Sequence, residues 1–112
     1  LPLPMQRATM EQYCEKFKIS ISSYEFENEH ADWQPNLEHY IKLKPDGIVL
    51  CSMYCITDDM ERRDELLNLA LDNGVELHFA NELCFLKNKD DLYKIKQYLN
   101  FAVPVKGKHS WE

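Results

Sequence analysis

Pro45-Asp46-Gly47-Ile48-Val49-Leu50-Cys51-Ser52-Met53 opens the stretch, running on to Asn81, whose reading decides the fold. Its apolar run is too short for a helix and has the character of a strand buried on both faces. Thr57-Asp58-Asp59 then predicts a helix start, with Thr57 as N-cap and two acids where the unpaired NH groups and the positive end of the helix dipole favour them. Met60, Leu67, Ala70 and Leu71 fall on one helical stripe, and Asn73-Gly74 supplies the stop. Val75-Glu76-Leu77-His78-Phe79-Ala80 returns as an alternating strand. A strand, a helix and a second, parallel strand in that order form a right-handed crossover whose helix covers one face of the sheet.

Working outward toward the start, Pro4 suits the first turn of a helix, and Met5, Ala8, Met10, Tyr13, Cys14 and Phe17 continue an apolar side through Lys18. Residues 19–26 alternate with period two, which predicts a strand with one polar face near a sheet edge. Residues 27–32 are acidic and aperiodic, a loop. Pro35 starts a short helix over residues 36–42, with Leu37, Tyr40 and Ile41 inward and a turn at Pro45-Asp46-Gly47. Toward the end, residues 82–87 are apolar without a clear turn and stay undecided. Asn88 caps a last helix over residues 89–102, with Leu92, Ile95, Leu99 and Ala102 on one side, and Pro104 stops it.

The expected class is therefore α/β: an open, mainly parallel sheet with helices on both faces. Only three strands are evident, and a further strand ahead of the first helix would complete the sheet. A start at Leu1 and not at Met marks the chain as processed, engineered or incomplete there. The domain is expected to span residues 1–102, followed by a tail over 103–112 with Lys106, Lys108, His109 and Trp111. That tail reads as a flexible end, as an edge strand through Val103-Pro104-Val105, or as an arm that docks Trp111 on a partner.

Composition narrows the class. A chain of 112 residues, 45% apolar throughout, is one domain that buries roughly two-thirds of its unfolded surface. No segment approaches the roughly 20 consecutive apolar residues of a membrane span. Leu1-Pro2-Leu3-Pro4 lacks the basic start and long apolar run of a signal peptide. Cys14, Cys51, Cys55 and Cys84 lack zinc-ribbon spacing, and with them the expectation is reduced thiols in a cytoplasmic protein, with no metal and no cofactor. The net charge of −6 disfavours a nonspecific nucleic-acid binder, whose affinity rests on cationic contacts that displace counterions.

Few constellations promise chemistry. Cys55 lies in the loop at the carboxyl end of a strand, where open α/β sheets place their ligands, and ahead of a helix N-terminus. Asp58 and Asp59 put negative charge beside it, so packed or idle thiols are the simpler reading. The same acids resemble a Mg²⁺ cradle, although dipole complementation explains them as well. His30, His39 and His78 are dispersed and expected at the surface, and Arg62-Arg63 read as exposed helix charges.

With these elements in place, residues 2–102 resemble the catalytic domain of serine recombinases, the resolvase and invertase family. Met5-Gln6-Arg7 resembles the family's glutamine-bearing start of its first helix, and Gln34-Pro35-Asn36-Leu37 falls where the family has Arg-Pro-x-Leu. Residues 48–75 follow the family's strand, Asp-Arg-Leu-x-Arg turn, long helix and Gly-Val without a gap, and residues 77–82 its next strand ending in an acid. The resemblance implies a three-layer α/β/α fold, an association with DNA recombination, and dimers made through a long helix.

Departures at the site change that expectation. Tyr54, Cys55 and Asp58 stand where the family has its acid and two arginines, Gln34 replaces the loop arginine, and Gln6 alone is kept. The aligned nucleophilic serine falls ahead of Leu1. Losing one preorganised donor to a charged transition state costs on the order of 100- to 1000-fold in rate, and three arginines are gone. An anion at position 58, about 4 Å from a phosphate oxygen, adds roughly 4 kcal/mol of repulsion at an effective dielectric near 20. The expectation is a non-enzymatic protein-interaction or regulatory module, a homodimer or a partner-bound domain, with Tyr93, Tyr98, Phe101 and Trp111 as interface candidates. DNA stays a possible partner that the net charge does not favour. The rival expectation is a small α/β enzyme or ligand-binding regulatory domain using the loop from Tyr54 to Asp58.

Overall fold

The computed structural model describes residues 3–24 and 33–102. Two helices, α1 (Leu3–Lys16) and α2 (Pro35–Lys42), precede strand β1 (Gly47–Leu50). A single 3-10 turn (Met53–Cys55) leads into α3 (Met60–Asp72), and β2 (Glu76–Phe79), β3 (Cys84–Leu86) and α4 (Lys89–Ala102) follow. β1 and β2 pair in parallel, with Ile48 opposite Leu77 and Leu50 opposite Phe79. The expected strand–helix–strand crossover is present.

The sheet is mixed, not mainly parallel, because residues 82–87 contain β3, antiparallel to β2 with Leu86 opposite Leu77. Its reversal runs through Leu83, held in the left-handed region at φ 55°, where glycine or asparagine would have announced a turn. Residues 19–24 form no strand. Their alternation defines an apolar side without supplying a neighbour to pair with, and Ile19 instead packs its side chain beside Tyr13 and Cys14. Residues 25–26 lie outside the described residues.

α3 begins two residues later than expected. Asp59, not Thr57, is the N-cap, its carboxylate accepting from the Arg62 NH at 3.0 Å, while Thr57 Oγ1 accepts from the Asp59 NH. Met60 is accordingly exposed at the first turn, and Leu66, Leu67 and Ala70 form the buried stripe. Gly74, at φ 68°, closes the helix in a conformation that costs other residues more.

Alternation along the strands separates two apolar clusters. Leu77, Phe79 and Leu86 face α2, α3 and α4 in the main core, joined by Leu37, Ile41 and Ile95. Tyr13 and Cys14 of α1 form a smaller cluster with Ala80, against which Val49 packs. Helices thus flank both faces of the sheet. Among the described residues no helix is long and apolar enough to cross a membrane.

Candidate functional site

The carboxyl edge of β1 and β2 gathers most of the positions singled out in the sequence. Beyond β1 the backbone turns sharply, the Cys55 NH donating to the Ser52 carbonyl at 2.9 Å. Glu82, in the β2–β3 turn, ties two loops together. Its carboxylate accepts from Ser52 Oγ at 2.6 Å and from the Met53 NH at 2.9 Å. Gln34 ties in a third segment from the start of α2. Its amide nitrogen donates to the Cys55 carbonyl and its amide oxygen accepts from the Thr57 NH, both at 2.7 Å. Gln34, Tyr54, Cys55 and Asp58 therefore meet around one loop, and Gln6 is half-buried on α1, whose Thr9 bonds to Cys51 at the end of β1.

The chemistry of this loop is subdued. Burial pushes the Cys55 thiol above its ordinary pKa, the nearby Glu82 adding to the effect, and burial likewise raises Cys51. Cys84 is pushed up to about 11, again chiefly by burial. Because the thiolate is the nucleophile, burial works against reactivity at all three. The Tyr54 side chain is half exposed and shares a hydrogen bond with Tyr98 of α4, whose phenol is held above its usual pKa by desolvation first and by Tyr54 next.

Arg62 and Arg63 correct the reading of exposed helix charges, since both are buried. The Arg62 guanidinium lies 4.6 Å over the Trp33 ring, donates to the Trp33 carbonyl at 2.7 Å and pairs with Glu38 at 2.6 Å. An aromatic face, a carbonyl and a carboxylate replace its water. Bonds from Lys42 and Arg62, in that order, hold the Glu38 carboxyl below the usual range. Arg63 shares the inward stripe with Leu66, Leu67 and Ala70, and among the described residues its Nε has no hydrogen-bond partner. Neither arginine offers a surface to a phosphate.

His78 was expected at the surface and is also buried. Its Nδ1 lies 2.7 Å from the Tyr13 hydroxyl and its Nε2 3.0 Å from Glu76. This Tyr–His–Glu chain docks α1 on the sheet's second face. The clue in the sequence was the alternation itself, which sends His78 opposite to Leu77 and Phe79 into a face that a helix also covers. His39 is exposed, and His30 lies outside the described residues.

Of the interface candidates, Tyr93 and Tyr98 are both exposed on α4. Five residues apart on a helix, they point about 140° from one another and do not make one strip. The side chain of Phe101 and all of Trp111 lie outside the described residues.

What remains at the carboxyl edge is negative charge. Asp58, Asp59 and Glu61 line the start of α3, with Glu82 across the loop. Glu38, Glu65, Asp64 and Glu76 elsewhere each have a cationic partner. Among the described residues no ion pair forms at Asp59, Glu61 or Glu82, which are met by neutral donors where they are bonded at all. The edge can attract a cation and repel a phosphate. Comparison of the chain with known protein families, curated proteins and solved structures finds no match to any of them.

Proposed function

We propose that this chain is a recombinase-type α/β domain that has given up strand cleavage and works as a protein-interaction or regulatory module. The observation that supports it most is the carboxyl-edge loop. Where phosphate chemistry would need converging guanidinium groups, this loop has the Cys55 carbonyl locked to Gln34, an exposed Asp58 and a Glu82 that accepts from the neutral Ser52 hydroxyl and Met53 NH, while Arg62 and Arg63 are buried. The association with recombination itself rests on the resemblance of residues 48–75 to the family's central segment. A second reading, a small-ligand domain at the same loop, is favoured by the exposed Tyr54 and weakened by the raised Cys55 thiol.

The test has two parts. Incubation with supercoiled plasmid and duplex DNA, followed by denaturing electrophoresis, is expected to trap no covalent protein–DNA adduct. Light scattering at rising concentration is expected to reach a dimer mass. An adduct would overturn the loss of chemistry, and a strict monomer that binds duplex DNA at low salt would overturn the protein-interaction half.

A further inference from the structure

The two edges of the sheet are finished differently. β3, at one edge, is three residues long and is followed by Lys87, whose ammonium lies 4.5 Å over the Phe85 ring. Short length and a lysine are devices that keep a sheet edge from pairing with another chain. β1, at the other edge among the described residues, has neither charge nor proline from Gly47 to Cys51. Its composition is that of an interior strand. Yet Gly47 is exposed and Ile48, Val49 and Leu50 are only half-buried, while Leu77, His78 and Phe79 of the central β2 are buried.

The bonds to β2 show which backbone groups lie on the outer side. The Glu76 NH donates to the Asp46 carbonyl at 3.3 Å and the Ala80 NH to the Leu50 carbonyl at 2.9 Å. Groups that serve one neighbour belong to alternate residues of a strand, so Asp46, Ile48 and Leu50 turn toward β2. Gly47 and Val49 turn their NH and carbonyl groups away from it. An antiparallel copy of the same strand, related by a twofold axis at Ile48, would set Gly47 of one copy against Val49 of the other, each pair exchanging both bonds. That match is free of charge conflict. Asp46 comes opposite Leu50 and Lys44 opposite Ser52, so no like charges meet.

We propose that β1 is the seam of a homodimer, Gly47–Leu50 pairing antiparallel with the same strand of a second copy and joining two three-stranded sheets into one. The proposal rests on the interaction reading above and names the surface that reading would use.

Val49→Pro is the decisive variant, because it removes an outward NH and none of the donors to β2. Light scattering is expected to show the native chain reaching a dimer mass and Val49→Pro staying a monomer at the same concentration, with unchanged far-UV circular dichroism. Amide exchange in the native chain is a second measurement that needs no variant to fold. The Gly47 and Val49 amides should exchange several-fold more slowly as concentration rises through dimer formation, whereas those of Ile48 and Leu50 keep the same protection throughout. A dimer in which the Gly47 and Val49 amides stay unprotected overturns the seam and leaves the interaction reading standing. A native chain that is monomeric at every concentration overturns the seam and the dimer expected above together. Protection of those two amides in a dilute monomer also overturns the seam, since it would put a segment of the same chain on that edge.

Discussion

Gln34 combines a left-handed backbone, φ 53°, with a side chain that bonds both ways to the loop after β1. For a residue other than glycine that conformation costs about 1 kcal/mol, so the two bonds hold the residue in it. Gln34→Ala is predicted to destabilise the fold by about 2 kcal/mol, since it orphans the Thr57 NH and the Cys55 carbonyl; urea unfolding measures it. Gln34→Glu is sharper. An ionised carboxylate accepts from Thr57 but is repelled by the Cys55 carbonyl, which raises the new group's pKa, so its stability is present at low pH and lost as pH rises through that pKa. The deficit should be smaller near pH 4 than near pH 7. The sequence marked Gln34 as a position of interest but not its work, because its partners arrive only when the loop closes. Arg62 was misread for a related reason. Its neighbour Trp33 comes from a different element, and nothing in the spacing of α3 announces an aromatic lid over a charge.

Element boundaries followed capping chemistry more than apolar pattern. α3 starts at the residue whose carboxylate reaches the Arg62 NH, and Thr57 has the smaller task of holding Asp59. Asp59→Ala should therefore cost about 1 kcal/mol while Thr57→Ala costs less, a ranking that thermal unfolding of both variants checks. α2, the crossover and the Asn88-capped α4 were legible because each carries its own start and its own stripe; the Asp91 NH does donate to Asn88 at 2.9 Å. β3 was illegible because its turn uses Leu83, and the strand expected over residues 19–26 is absent through residue 24 because a strand is a property of two segments.

At the scale of the molecule the two apolar clusters are unequal, and α1 belongs to the smaller. The Tyr13–His78 bond, 65 residues apart in sequence, links it to the sheet in a buried setting. Tyr13→Phe leaves His78 short of a partner, at a cost of about 1–3 kcal/mol. Hydrogen exchange should then speed up in α1 while α2, α3 and α4 keep their protection, and uniform acceleration would show that α1 is not a separable unit. The class and the crossover could be read from the sequence, and the alternation set His78 opposite to Leu77 and Phe79, but its bond to Tyr13 could not be read, since a period of two says which way a side chain points and not what covers it. The connectivity of the sheet also sets an order of events. β1, α3 and β2 are consecutive, and β2 turns straight back into β3, so the sheet can assemble from contacts near in sequence. Closing α1 over the second face requires a much longer loop and is predicted to come last, which pulse-labelled hydrogen exchange during refolding would check by late protection of α1. A nascent chain would hold its first helix unplaced until nearly the whole sheet existed behind it.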